Sequence, residues 1–184
     1  TSAAVKDFKS LLDGLIFPTE PKYVLNAIHS PYFNFKIPYR LIIPHRGDKR
    51  KILKLINEKV GEEFNSYVKL LRTLPVMAVI QKIISENRLF DQLDSYYGNQ
   101  LTKDELVVFK AKYKKNLYKL LNIIHQQFSI MDSSLYNLHK WLILKMRTDR
   151  YENEPVIKGE GDLVDITTVH RAKGLEYHKV IIPF

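Results

Sequence analysis

Residues 102–128, TKDELVVFKAKYKKNLYKLLNIIHQQF, form the longest uninterrupted helical pattern in the chain. Thr102 followed by Glu105 predicts a capping box, in which the two side chains satisfy backbone N–H groups at a helix start. Apolar side chains then recur every three or four residues, as on one face of a helix. They are Phe109, Tyr113, Leu117, Leu121, Ile124 and Phe128. The pattern predicts a mainly α-helical fold in which this face packs against other helices.

Shorter helical patterns fill most of the chain before residue 150. They are AAVKDFKSLLDGLIF, TEPKYVLNAIHS, DKRKILKLINEKV, EEFNSYVKLLRT, PVMAVIQKIISENRLFDQLDSYY and SSLYNLHKWLILKM. We expect Thr19 to cap the second helix, a break near Asn87 within the fifth, and Asp132 or Ser133 to cap the last. Between the second and third patterns, PYFNFKIPYRLIIPHRGD is rich in aromatic residues and interrupted by Pro, which predicts a loop with short turns.

The pattern changes after residue 150. RTDRYENEPVIKGEGD is polar and contains Pro155, Gly159 and Gly161, which is typical of a linker. LVDITTV and KVIIPF are short, β-branched and apolar, like buried strands. The predicted fold class is therefore mainly α, with a helical domain at residues 1–155 followed by a short β remnant of an α/β domain at residues 162–184.

The charge of the chain favours an anionic partner. The 29 Lys and Arg against 20 Asp and Glu give a formal net charge of +9, which suits nucleic acid, a membrane surface or an acidic protein. The chain has no Cys, so it has no disulfide framework and no thiolate metal site, in keeping with a cytoplasmic location. No apolar run approaches the ~18 residues of a membrane span, and no secretory signal is visible, so we expect no membrane partner.

Common catalytic motifs are missing from the sequence. It contains no GxxxxGKS/T phosphate loop, no GxGxxG, no HExxH and no GxSxG. The six His residues lack metal-ligand spacing, and His125 and His139 are expected to be satisfied or solvent-facing residues on helices. Trp141 is expected in the core. We therefore predict no catalytic residue and no metal site in this chain.

The segment 164–177, VDITTVHRAKGLEY, brings charged groups to the end of a predicted strand. His170 and Lys173 could meet phosphates at such a junction, where open α/β sheets usually bind ligands. Gly174 would either take a positive φ or allow a close approach of another backbone or a phosphate. Glu176 could accept a hydrogen bond from a hydroxyl or pair with a cation. The alternative is a polar loop that carries an incidental His.

Residues 168–177, TVHRAKGLEY, resemble motif V of the UvrD/Rep-type superfamily 1 helicases, Thr-x-His-x-Ala/Ser-Lys-Gly-Leu-Glu-aromatic. Every fixed position of that motif is present, and the flanking Thr167 stands where the family commonly has Met. Upstream, VKDFKSLLDGLIFPTEPKYVLNAIHSPYF is similar to the start of the helical 2B insertion domain. Its SPYF ending is closer to the RecB/AddA-like branch, and the Gly-Ile-Gly duplex-contacting loop of UvrD proper is absent.

The resemblance implies a segment of an ATP-dependent DNA helicase. Residues 1–155 would be the 2B-like domain, and residues 162–184 would be a piece of the RecA-like domain 2A. The P-loop and the Mg²⁺-binding carboxylates would lie elsewhere in a longer parent, so ATP and Mg²⁺ would be bound by that parent and not by this segment. The implied partners are single-stranded DNA and DNA junctions, the rest of the motor, and a nuclease or repair protein.

The resemblance also implies residue roles. Thr168, His170 and Lys173 would contact the single-strand backbone, while Gly174 and Glu176 would couple the nucleotide state to the DNA contact. Further candidate phosphate contacts come from the basic segments of the chain, and the alternative for each is a solvated helix face. They are Arg46, Lys49, Arg50, Lys110, Lys114 and Lys115.

Two other functions stay open at this point. The helical domain could be a protein-docking or regulatory module with no DNA binding of its own. The chain could also be an unrelated helical adaptor or membrane-surface protein, which would require the match to motif V to be a coincidence.

Overall fold

The computed structural model describes residues 2–60, 63–128 and 134–148. In these ranges the chain forms nine α-helices, and two short 3-10 turns follow the third and the seventh. The helices are α1 (Ala3–Ile16), α2 (Pro21–His29), α3 (Tyr39–Ile42), α4 (Lys49–Val60), α5 (Glu63–Leu70), α6 (Val76–Glu86), α7 (Leu89–Tyr97), α8 (Lys103–Gln127) and α9 (Leu135–Thr148).

The helical part of the predicted fold class is confirmed. Within the three described ranges there is no β-strand. The β remnant predicted at residues 162–184 lies outside the described residues, and the two domain boundaries stay predictions.

Helix α1 is the centre of the core, and it packs against α2, α8 and α9. Its apolar side chains face inward at helical spacing. The buried ones are Ala4, Phe8, Leu11, Leu12 and Leu15. Gly14 brings α2 unusually close, because a β-carbon added there would lie 2.5 Å from the Cβ of Ala27.

Helix α8 begins and packs as its sequence predicts. The Thr102 Oγ1 accepts a hydrogen bond from the Glu105 N–H at 3.4 Å, and the Glu105 Oε2 accepts from the Thr102 N–H at 2.9 Å, which confirms the capping box. The side chains buried along α8 are Tyr113, Leu117, Leu120 and Ile124. Of the predicted face, Phe109, Leu121 and Phe128 are only partly buried.

A polar cluster joins α8 and α7 to α1. The Asp7 carboxylate accepts hydrogen bonds from the hydroxyls of Tyr97 at 2.6 Å and Tyr113 at 3.1 Å. Burial raises the pKa of Asp7 in spite of these two hydrogen bonds. The Asp7 carboxylate on α1 is therefore hydrogen-bonded to both α7 and α8.

One predicted cap is wrong, and one predicted break is confirmed. Glu20, not Thr19, precedes α2, because Pro21 occupies the first helical position. Helix α9 starts at Leu135, so Ser134 is its cap, and the Ser134 Oγ accepts a hydrogen bond from the Asn137 N–H at 3.1 Å. The earlier candidates Asp132 and Ser133 lie outside the described residues. The break near Asn87 separates α6 from α7 as predicted.

Candidate nucleic-acid interface

The motif-V-like residues lie outside the described part of the chain. They are Thr168, His170, Lys173, Gly174 and Glu176. Their assigned roles therefore stay predictions. The candidate phosphate contacts that are described fall into two groups, one around the start of α4 and one on α8.

The first group belongs to residues 36–54, which we call the basic segment. It comprises α3, a 3-10 turn, a tight turn at Gly47 and the first half of α4. Gly47 has φ +92°, a conformation that other residues rarely adopt. Asp48 then caps α4, because its Oδ1 accepts a hydrogen bond from the Lys51 N–H at 3.1 Å.

The start of the basic segment is anchored to the core by hydrogen bonds. Asn34 has φ 49°, and its Nδ2 donates to the Gln92 Oε1 at 2.9 Å and to the Ser95 Oγ at 2.8 Å. The Ile37 N–H donates to the His29 Nε2 at 3.0 Å. These contacts tie the segment to α7 and α2, so its cations sit on a preformed surface.

The bond to His29 predicts a pH effect on stability. Burial and the nearby charge of Lys36 lower the pKa of His29 below its ordinary value of 6.5. Protonation of Nε2 would also remove the acceptor of the Ile37 N–H. The unfolded chain takes up a proton at higher pH than the folded one. Stability should therefore fall as the pH drops below 6.5 and level off below the folded pKa.

Urea midpoints of the wild type and His29→Phe, measured at several pH values from about 7.5 to 5, test this. The wild type should lose more stability than the variant over that interval. All other groups are the same in both proteins, so their contributions cancel in the difference. Parallel curves would contradict the role assigned to His29.

The cations of the basic segment divide into paired and unpaired groups. Lys49 Nζ lies 2.7 Å from the Glu20 Oε1, and Lys51 and Lys54 pair more loosely with Asp48 and Glu58. The arginines of this segment, unlike these lysines, form no ion pair with any residue the structure describes. They are Arg40, Arg46 and Arg50, and all three are exposed.

Helix α8 shows the same division. Lys110 Nζ lies 2.6 Å from the Asp94 Oδ2, and Lys114 Nζ lies 5.3 Å from the centre of the Phe90 ring and 5.9 Å from that of Tyr118. Such cation–π contacts are worth ~0.5–1 kcal/mol at exposed sites. Lys115 is exposed and has no ion pair within the described ranges.

Of the six predicted phosphate contacts, Lys49, Lys110 and Lys114 thus already have partners within the protein. The remaining three form no ion pair or cation–π contact within the described ranges, so they can meet a phosphate without first giving up such a partner. They are Arg46, Arg50 and Lys115.

Two exposed tyrosines, Tyr39 in the basic segment and Tyr118 on α8, were not predicted from the sequence. Tyr39 is 70% exposed and Tyr118 is 47% exposed. Residue type alone could not separate them from Tyr32, which is fully buried. The Pro residues flanking Tyr39 were the available signal, since they mark a surface turn.

The described residues contain no group of three or more His, Cys, Asp or Glu side chains placed to hold a metal ion. None of the helices in these ranges is long and apolar enough to cross a membrane.

Comparison with known proteins identifies the class. The family model of the UvrD-like helicase C-terminal domain matches residues 23–184, and the chain belongs to that family. It is similar to the RecBCD enzyme subunit RecB of Buchnera aphidicola subsp. Baizongia pistaciae, with 28% identity over 136 residues, and to that of Escherichia coli K12, with 26% identity over 128 residues. The resemblance to UvrD/Rep-type helicases, with a RecB-like branch, is thereby confirmed.

These relatives are much longer than the chain. Each alignment covers 68% of this chain and 10% of the relative, so the chain spans about a tenth of the length of the curated relatives it matches. No solved structure matches the chain significantly.

Proposed function

We propose that this chain is part of an ATP-dependent DNA helicase and that its helical unit, formed by helices α1–α9, contacts DNA through the phosphate backbone. The observation that carries the proposal is the family match over residues 23–184. The contact with DNA is supported by the net charge of +9 and by Arg46, Arg50 and Lys115, which have no ion pair in the part of the chain that the structure describes. Contacts of this kind position a protein on DNA without reading its sequence.

The motif-V-like segment has a separate role in this proposal. Thr168, His170 and Lys173 hold the backbone of the single strand, and Gly174 and Glu176 link that contact to the bound nucleotide. ATP and Mg²⁺ are bound by other parts of the parent motor, where they position and neutralise the reacting phosphates. The parent acts in the cytoplasm on single-stranded DNA and junctions.

Partner subunits are also part of the proposal. The similarity to RecB, named as a subunit of the RecBCD enzyme, supports a parent that works within a larger assembly. We therefore propose the rest of the motor and a nuclease or repair protein as its partners.

Salt-dependent DNA binding by the chain tests the phosphate contacts. Dissociation constants of ~10⁻⁴–10⁻⁶ M are typical of non-specific binding near physiological salt. Each phosphate met by a cation contributes ~0.7 to the salt slope on single strands. Replacing Arg46, Arg50 and Lys115 together by Ala should therefore reduce the slope by up to about 2, as measured by fluorescence anisotropy at several salt concentrations.

A matched control removes the same number of charges from lysines that already have partners. Lys49, Lys82 and Lys110 pair with Glu20, Glu86 and Asp94, respectively. Their joint replacement by Ala should weaken binding modestly and leave the slope close to that of the wild type. Equal slopes for the two triple variants would contradict the assigned contacts. No binding by the wild type even at low salt would favour the protein-docking alternative.

A further inference from the structure

Tyr39 and Ile43 form an exposed apolar tip on the basic segment. Tyr39 is 70% exposed and Ile43 is 52% exposed. They are four residues apart on continuous helical backbone, so they share one side of that turn. An aromatic side chain left this far out of the core is available to a ligand.

Three arginines are close to this tip in the sequence, one directly after Tyr39 and the others three and seven residues after Ile43. Arg40 follows Tyr39 directly, and Arg46 and Arg50 come after the tip and carry no ion pair in the described ranges. Asp48 is the only acidic residue between positions 36 and 54, and it is occupied by the Lys51 N–H and Nζ. A planar guanidinium can bind phosphate oxygens with two parallel hydrogen bonds, which a lysine cannot do.

The surface around Tyr39 is held in place before any ligand arrives. Asn34 and Ile37 anchor its start through the hydrogen bonds described above, and Lys36 Nζ lies 5.5 Å from the centre of the Tyr96 ring. On the far side, the Asp48 N–H donates to the His45 carbonyl at 2.9 Å and closes the turn. The backbone around the tip therefore loses little conformational entropy when it binds a ligand.

We propose that Tyr39 stacks on an unpaired nucleotide base while Arg40, Arg46 and Arg50 hold the neighbouring phosphates. The inference rests on the proposed DNA contact and refines it: the basic segment prefers single-stranded DNA, or the single-stranded side of a junction, over continuous duplex. Aromatic side chains next to cationic grooves bind single strands in this way, because every base offers a π-face. In a continuous duplex those faces are already stacked on each other.

An abasic oligonucleotide separates stacking from charge. The 184-residue chain is titrated with a single-stranded thymidine oligomer of about 16 nucleotides, with an abasic oligomer of equal length and with a blunt duplex. Tyr39→Ala should weaken binding to the thymidine oligomer roughly 5- to 10-fold, leave the salt slope unchanged, and barely affect the other two ligands. Tyr39→Phe keeps the ring and should bind like the wild type.

Tyr136→Ala is the matched control, because Tyr136 is 63% exposed but lies on α9, outside the basic segment. It should leave all three affinities unchanged. An equal loss on the thymidine and abasic oligomers, or no loss on either, would overturn the stacking site while the DNA contact stands. A wild type that binds no DNA at low salt would overturn both proposals.

A second titration tests binding to a membrane surface, because exposed apolar side chains near cations can also bind anionic lipid bilayers. Vesicles of phosphatidylcholine with a fraction of phosphatidylserine replace the oligonucleotides. Binding to these vesicles that Tyr39→Ala abolishes, together with unchanged DNA binding, would overturn the proposal in favour of a lipid surface. Vesicle binding that does not depend on Tyr39 would agree with the proposed base stacking.

Discussion

Gly14→Val is expected to lower the free energy of unfolding of the helical unit by about 3 kcal/mol, the upper end of the usual range for overpacking. A β-carbon at position 14 would lie 2.5 Å from the Cβ of Ala27, 3.1 Å from the carbonyl oxygen of Tyr23 and 3.2 Å from the Cζ of Phe64. The first two atoms are fixed to the backbone of α2 and cannot rotate away. The two helices would have to separate, although Val suits a helix slightly better than Gly does.

Gly98→Ala is the control for the general effect of removing a glycine. Gly98 has φ −61°, and a β-carbon there would meet only the Leu106 Cδ2, at 3.7 Å. This variant should change stability by less than about 1 kcal/mol, in the stabilising direction. Urea unfolding followed by circular dichroism measures both. An unchanged midpoint for Gly14→Val would show that α1 and α2 are not packed as closely as described.

A double-mutant cycle identifies the contact. Gly14→Ala alone should destabilise, although Ala is the better helix former. Combining it with Ala27→Gly removes the atom at 2.5 Å and should recover part of the loss. If the effects of the two substitutions are additive, the loss of stability does not come from a contact between positions 14 and 27.

The helices could be predicted from the sequence because their signals are local. The capping box at Thr102 and Glu105 and the apolar spacing of α8 lie within one stretch of chain, and so does the break after Glu86. Gly14 is different, because a lone glycine in a helical pattern shows only a cost in helix propensity. Its close contact with Ala27 arises from the packing of two helices.

The candidate site could be predicted only as a set of charges. Sequence identifies Lys49 and Lys110 as basic residues, but their partners Glu20 and Asp94 are 29 and 16 residues away. Which cations remain unpaired is therefore a property of the fold. The same holds for Tyr39, whose exposure depends on where the chain turns after the anchored Asn34.

For His139 the sequence predicts two possible environments but does not decide between them. A histidine on α9 was expected to be either satisfied or solvent-facing, and the structure selects the first. His139 is 8% exposed, and its Nε2 lies 2.6 Å from the Oδ1 of Asp13, a residue 126 positions earlier that is 6% exposed. The pair joins α9 to α1, with the Phe17 ring edge-on to the imidazole.

His139→Ala is expected to destabilise the helical unit by about 3 kcal/mol, because it leaves the Oδ1 of a buried carboxylate without its partner. Lys9 Nζ remains 2.6 Å from the Asp13 Oδ2, which keeps the loss at the lower end of the range for broken buried pairs. Lys9→Ala is the control. Its side chain is 34% exposed, so its removal should cost less than that of His139.

Hydrogen exchange locates the effect of His139→Ala. Amides of α9 should lose protection first, since the substitution breaks the contact of α9 with α1, whereas α8 keeps its hydrogen bond from Tyr113 to Asp7. His139→Gln, which retains a donor, should show a smaller loss. Equal loss of protection in α8 and α9 would mean that the pair stabilises the unit as a whole. Retained protection in α9 would mean that the pair of His139 and Asp13 does not stabilise this helix, which precedes the motif-V-like segment in the sequence.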